Sequence, residues 1–126
     1  MNEKVQTRKI VGILQNKITN ILNSDLPNAE ILFYSGLRKH IKKKHKMCLK
    51  YMENIEDIIQ NPDYVGINPD EPNSVELVKV LNDNVLVSIN LSSDTEEKYL
   101  FVSSIYDISD GKLNNRLNSG RLKTFS

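Results

Sequence analysis

The sequence predicts an α+β protein in which N-terminal helices pack on a sheet of roughly four antiparallel strands. In the first 60 residues, apolar side chains recur at three- and four-residue steps, as on one face of a helix. From residue 64 onward they fall in β-rich runs separated by polar turn clusters. The length of 126 residues suits one globular unit with its own core.

The helical half begins with an amphipathic segment. We predict a helix over residues 3–23, because its apolar positions follow the helical period. Its shared face would carry Ile10, Leu14, Ile18, Ile21 and Leu22. The sequence NSDLPN (23–28) contains a proline and polar turn formers that end it. Residues 1–27 are therefore expected to form a helical extension, and residues 28–126 the main domain.

Two further helices are expected after this break. The run EILFY reads as a short extended piece, and Ser35 suits the N-cap of the next helix. On that helix Leu37, Ile41 and His45 would fall on one stripe. Another helix is predicted over about residues 49–60, and the sequence NPD that follows would stop it.

The second half reads as a meander of strands. The runs are YVGIN, SVELVKVL, VLVSINL and KYLFVSSIY, separated by the turn clusters PDEPN, NDN and SSDTEE. Connections this short favour antiparallel hairpins. A short helix is expected in the tail around residues 113–117.

The sequence also bounds the cellular setting. The longest apolar runs are the length of strands, so no membrane partner is expected. The N-terminus MNEKVQTRK lacks the apolar core of a secretory signal. Cys48 is the only cysteine, which excludes an internal disulfide and fits a reducing cytoplasm.

Basic residues are concentrated although the net charge is only +1. Seven of the thirteen residues from Arg38 to Lys50 are Lys or Arg, and none is acidic. Such a block either holds phosphates or is a solvated helix face, and both interpretations stay open. The candidate nucleic-acid-binding residues are Arg38, Lys39, Lys42, Lys43, Lys44 and, in the tail, Arg116.

His40 and His45 lie within this basic block and are candidates for proton transfer near neutral pH. Five residues apart on a helix, they are separated by about 140° and do not share a face. That spacing does not suit a zinc pair, and no cysteine or carboxylate cluster completes a site. We therefore predict neither a metal nor a cofactor. The alternative for each histidine is a structural role.

The strands supply three more polar candidates. Lys79 alternates with Val75 and Leu77, so it would pair with an acid, lie at the sheet margin, or reach a bound phosphate. Ser104 and Tyr106 would share a strand face, where hydroxyls hold phosphate oxygens and a ring stacks on a base. The alternatives are a small core filler and an aromatic residue at the sheet rim.

Motifs for several other chemistries are missing from the sequence. It contains no P-loop, no GxSxG and no pair of carboxylates at an evident catalytic spacing. Nucleic-acid cleavage without metal points to RNA, whose 2′-hydroxyl is a built-in nucleophile. The protein then needs only a base, an acid and cations around the phosphate.

Five blocks occur in a characteristic order: SGLRKHIKKKH (35–45), IEDIIQNPDYVGINP (55–69), SVELVKVLNDNVLVSI (74–89), YLFVSSIYDIS (99–109) and KLNNRLNSGRLK (112–123). Over about residues 30–123 this series resembles the phage-type members of the barnase–EndoU–colicin–RelE-like nuclease superfamily. The resemblance implies helices on a curved antiparallel sheet and a metal-independent ribonuclease. It also implies a phage or mobile-element setting in the bacterial or phage-infected cytoplasm.

Carried over residue by residue, the resemblance implicates six side chains in catalysis: His40, His45, Lys79, Ser104, Tyr106 and Arg121. The expected activity is endoribonuclease cleavage by 2′-hydroxyl transphosphorylation, with RNA as substrate and, as for toxin-like nucleases, an immunity or antitoxin protein as a further partner. The alternative is a non-catalytic nucleic-acid- or protein-binding accessory module of a phage or mobile element.

Overall fold

The computed structural model describes residues 7–44, 46–94 and 96–125. Its strands are β1 Arg8–Ile13, β2 Glu30–Tyr34, β3 Tyr64–Asn68, β4 Glu71–Val80, β5 Asn84–Leu91, β6 Leu100–Ile108 and β7 Leu122–Thr124. Its α-helices are α1 Asn16–Leu22, α2 Ser35–Lys44, α3 Ile55–Gln60 and α4 Asp110–Ser119, with a 3₁₀ segment at Lys46–Asn54. The predicted α+β class is confirmed.

The described strands form one sheet of seven, in the order β1-β2-β6-β5-β4-β3-β7. Neighbours pair antiparallel except β2 and β6, which run parallel. The prediction of a roughly four-stranded antiparallel sheet is therefore wrong in size and in pairing. The four predicted runs do form the central meander β3–β6. The additional strands extend it at both edges, because β1 and β2 add beyond β6 and β7 adds beyond β3.

The helix predicted over residues 3–23 is also corrected. Arg8–Ile13 is a strand paired with β2, and only Asn16–Leu22 is helical. The four-residue step from Ile10 to Leu14 mimics a helix, but Ile10 is exposed on β1, whereas Leu14 is buried in the connection between β1 and α1. Val11, Leu14 and Ile18 are buried in the main core, so this segment is part of the sheet and its packing.

The sheet has two unlike faces. On one face, here called the helix face, α1, α2, the 3₁₀ segment and α3 cover the main core, which includes Ile18, Ile41 and Ile58. The other is called the open face. There α4 covers one end of the sheet through a smaller cluster around Leu86, Leu113 and Leu122. The remaining open face carries polar and aromatic side chains.

The C-terminal elements follow local sequence signals. Ser109 caps α4 by accepting a hydrogen bond from the Lys112 amide at 3.1 Å. Gly120 ends the helix with φ 85°, a left-handed conformation that favours glycine. The chain then turns into β7, which places Arg121 beside the sheet. None of the described helices is long and apolar enough to cross a membrane.

Candidate active site

A buried ion pair lies on the open face. Glu76 is 1% exposed, and its two carboxylate oxygens accept hydrogen bonds from Arg121 Nε at 2.9 Å and Nη2 at 2.8 Å. The Arg121 side chain remains 22% exposed. The Glu76 carboxylate raises the pKa of Arg121 above its ordinary value, chiefly through these hydrogen bonds. The arrangement is a bidentate pair with one partner buried and the other in reach of solvent.

Backbone packing brings the two partners together. Glu76 pairs with Gly66 on β3, and Gly66 pairs on its other side with Leu122 on β7. A Cβ atom on Gly66 would overlap the Arg121 carbonyl oxygen and lie 2.9 Å from Leu122 Cδ2. Because Gly66 has no side chain, β7 approaches closely enough for Arg121 to reach Glu76.

Ser104 and Tyr106 also face this side of the sheet. Ser104 pairs with Ser88, which pairs with Glu76 one strand further. Tyr106 packs against the cluster beneath α4, and its proximity to Arg121 further raises the pKa of that guanidinium. Three predicted catalytic residues, Ser104, Tyr106 and Arg121, are therefore brought to one face.

A network of polar side chains continues from the pair along the open face. A β-bulge makes Ser103 an extra residue opposite the step from Ser88 to Ile89. Ser103 Oγ donates to Asn90 Oδ1 at 2.7 Å, and the Ser74 and Ser88 hydroxyls lie 3.0 Å apart. These groups line a continuous polar strip from β6 to β4.

Lys79 lies on the opposite side of β4. Its Nζ donates to the carbonyl oxygen of Asn61, just after α3, at 2.7 Å. It also lies 3.8 Å from a carboxylate oxygen of Asp57, in the first turn of α3. Of the roles left open by the sequence, the structure shows pairing with an acid. Lys79 thus does not lie with Ser104, Tyr106 and Arg121.

Helix α2 belongs to the helix face. Its buried residue Ile41 packs into the main core, whereas His40 is exposed. His45 lies outside the described residues. Five basic side chains of α2 are exposed, and none forms an ion pair with any other described residue: Arg38, Lys39, Lys42, Lys43 and Lys44. The basic block and the Glu76–Arg121 pair are consequently on different layers.

A family model described as phage-Barnase-EndoU-ColicinE5/D-RelE like nuclease3 (PBECR3) matches residues 8–115, most of the chain. The chain belongs to this nuclease family. The resemblance inferred from the ordered blocks is thereby confirmed. Neither the curated proteins nor the solved structures contain a significant match to the chain.

The PBECR3 match begins at β1, so it includes the N-terminal segment that we expected outside the resemblance. It ends before Arg116 and Arg121. Both arginines line one cavity of ≈ 590 Å³ between the end of α4 and the end of β3. Arg116 Nη1 is buried there without a hydrogen-bond partner among the described residues. A second guanidinium thus lies close to the candidate site.

Sequence reasoning missed Glu76 in this PBECR3 member. The signal was present, because Glu76 lies within the run SVELVKV and alternates with Ser74 and Val78. An acid inside an apolar strand must be paired when both faces of the sheet are covered. The apolar alternation around Lys79 concerns the other face of β4, so it gave no indication of Glu76.

Proposed function

We propose that this PBECR3 nuclease is an endoribonuclease that cleaves RNA by 2′-hydroxyl transphosphorylation and leaves a 2′,3′-cyclic phosphate. The supporting observation is the buried, bidentate Glu76–Arg121 pair on the open polar face of the sheet. A carboxylate and a fixed guanidinium supply the base and the phosphate-binding group that this reaction requires.

The pair suits the first half of the reaction. The Glu76 carboxylate is covered by Arg121, so it would act once the substrate phosphate draws the guanidinium off one of its oxygens. That oxygen would then take the proton of the 2′-hydroxyl while the O2′–P bond forms. Arg121 uses two of its five N–H donors on Glu76. Its remaining donors and partial exposure suit it to stabilise the charge that develops on the phosphorane oxygens.

The second half needs an acid for the leaving oxygen. As the P–O5′ bond breaks, the Tyr106 phenol would donate its proton to O5′, because it lies beside Arg121 on the same face. Ser104 would orient a phosphate oxygen through its hydroxyl. His40 and His45 stay sequence-based candidates for the same proton transfers. Lys79 would not contact the RNA in this proposal; it would hold α3 against β4 through Asn61 and Asp57.

Helix α2 is proposed as an additional phosphate-binding surface, because its five exposed cations are not in ion pairs with described residues. This observation also favours the alternative function, a non-catalytic nucleic-acid-binding module. Lys42→Gln, Lys43→Gln and Lys44→Gln can be combined in one variant. If each lysine contacts a phosphate, the slope of log K for RNA binding against log salt concentration should become shallower by about 2.

The proposed setting is a phage or mobile element whose nuclease acts on RNA in the host cytoplasm, restrained by an immunity or antitoxin protein. Expression in a bacterium without that partner should inhibit growth. A Glu76→Gln variant that still inhibits growth would argue against the proposed centre.

The decisive experiment incubates purified protein with RNA, with DNA of the same sequence, and with RNA methylated on its 2′-oxygens. We expect only the first to be cut, with a cyclic phosphate at the new 3′ end. Glu76→Gln should lower the rate on the order of 10²- to 10⁴-fold, whereas the exposed Glu56→Gln should not. Cleavage of the methylated RNA would overturn the mechanism. If no RNA is cut under any condition, the nuclease proposal fails and the alternative, a non-catalytic nucleic-acid-binding module, is favoured.

A further inference from the structure

Three aromatic rings lie together on the open face, away from the end that α4 covers. Tyr34 ends β2, Tyr99 immediately precedes β6, and Phe101 lies within β6. The ring centroids of Tyr34 and Tyr99 are 6.1 Å apart, and those of Tyr99 and Phe101 are 6.0 Å apart. All three residues are partly exposed. We call these three rings the aromatic platform.

The platform shares its face with the Glu76–Arg121 pair. Phe101 pairs with Asn90 on β5, and Asn90 pairs with Ser74 on β4, two residues before Glu76. Two strand spacings and two residues along a strand place the backbones of Phe101 and Glu76 about 12 Å apart. Adjoining nucleotides of one RNA strand span such a distance, so one strand would contact both the platform and the Glu76–Arg121 pair.

The platform also has room and polar groups for a planar ligand. A cavity of ≈ 330 Å³ is lined by Tyr34, Leu37, Tyr99, Phe101, Val102 and Ser103. Ser103 and Asn90, which hydrogen-bond to each other, bring amide and hydroxyl groups to the platform's edge. The bulge at Ser103 thus supplies polar atoms beside the rings.

Charges of both signs lie around the platform, since Tyr99 is near the Asp94 carboxylate as well as the Arg8 guanidinium. Arg8 pairs with Tyr34 across β1 and β2 and is exposed. A hydrogen bond with Tyr34 raises the pKa of Tyr99, so the Tyr99 ring stays neutral at physiological pH. Aromatic rings beside a cation are the combination by which proteins hold single-stranded nucleic acid.

We propose that the aromatic platform binds unstacked bases of single-stranded RNA next to the phosphate that Arg121 would bind. This inference rests on the proposed function, because it names the form of RNA that the site takes. Bases inside a duplex do not offer their faces to protein rings, so paired RNA is a poor ligand. Ring stacking tolerates any base, so little sequence preference arises at the platform.

The test measures binding without cleavage. A fluorescent 2′-O-methyl oligonucleotide is titrated with the wild type and with Tyr34→Ala, Tyr99→Ala and Tyr99→Phe. Loss of a stacking ring should raise Kd roughly 5- to 100-fold, and Tyr99→Phe should retain wild-type binding. Phe125→Ala removes a partly exposed ring near Lys17 and is the matched control.

A second arm uses the unaltered protein, so that it does not depend on the folding of variants. In a series of oligonucleotides that each carry one abasic position, Kd should rise by a similar factor when the missing base is at one or two neighbouring positions, and stay unchanged elsewhere. Duplex of the same sequence should compete weakly. Equal binding of abasic and intact strands, or of duplex and single strand, would overturn the platform.

The outcomes separate the platform from the nuclease. A wild type that cuts RNA, with Kd unchanged in Tyr34→Ala and Tyr99→Ala, overturns the platform and leaves the nuclease standing. Ring-dependent binding by a protein that cuts no RNA supports the platform and overturns the proposed cleavage. Rings that bind a protein partner but no oligonucleotide would also overturn the RNA assignment.

Discussion

The carbonyl oxygen of Arg121 packs onto Gly66 in the space that a Cβ atom would occupy. Gly66 also pairs with Glu76 on β4. The same glycine therefore contacts the backbone of Arg121 on one side and is the strand partner of Glu76 on the other. The position of β7, and hence of the Arg121 guanidinium, depends on this close approach.

Gly66→Ala should therefore displace β7 and lengthen the Glu76–Arg121 contact. We expect a loss of about 1–3 kcal/mol in the free energy of unfolding, because an added methyl group has no room. RNA cleavage should fall further than the lost stability explains. Denaturant titration and a cleavage assay on folded protein measure the two effects.

Gly111→Ala is the matched control, since its added Cβ would meet only Ser109 Oγ at 3.9 Å. In helix α4 this change should leave stability equal or raise it by up to about 1 kcal/mol. Wild-type stability and activity in Gly66→Ala would show that β7 does not depend on that glycine.

Arg121→Ala should leave the Glu76 carboxylate buried and unpaired. The expected cost is about 3 kcal/mol of unfolding free energy, at the low end for broken buried pairs because Arg121 is 22% exposed. Arg121→Lys keeps the charge but loses the bidentate geometry, so an intermediate cost is expected. Lys123→Ala removes an exposed cation from β7, two residues after Arg121, and should change stability by less than about 0.5 kcal/mol.

His40→Ala separates the two possible reaction centres. Because α2 packs on the helix face, we expect His40→Ala to change the cleavage rate less than 10-fold, whereas Glu76→Gln changes it by about 10² or more. The same comparison is made for His45→Ala, whose position lies outside the described residues. A large loss of rate in either variant, with folding intact by circular dichroism, would place proton transfer at the basic block of residues 38–50.

Cys48 is predicted to be unreactive in the folded protein. It is 1% exposed, and burial together with the neighbouring Asp107 carboxylate raises its pKa from 9.0 to about 11. Alkylation at pH 8 should therefore be at least about 100-fold slower than in denaturant, since the thiolate is the reactive form. The rate is followed by mass spectrometry, and rapid labelling of folded protein would contradict this burial.

The same thiol makes stability depend on pH in the alkaline range. The unfolded thiol loses its proton near its usual pKa of 9.0, whereas the folded thiol retains it to about 11. The folded state then binds more protons, so its contribution to stability is complete below pH 9 and is lost as pH rises towards 11. Cys48→Ala should flatten the stability profile in this window.

The sequence by itself determined the β3–β6 meander, the α4 helix and the nuclease family. Alternating apolar residues fix which face of a strand is buried, and turn clusters fix where it reverses. These signals are local, so they can be read from the sequence alone. They also predicted that Ser104 and Tyr106 lie on the same face, because the two residues are two positions apart in one strand.

Only the tertiary structure decided which polar residues meet. Glu76 and Arg121 are 45 residues apart, and they touch because β7 docks against β3 over Gly66. Lys79, three residues from Glu76, points through the opposite face to Asp57. The sequence also left the edge strand β1 looking helical, because one short apolar segment fits both periods until its pairing partner is known. Strand pairing joins distant residues, and no local pattern encodes which distant strand becomes the neighbour.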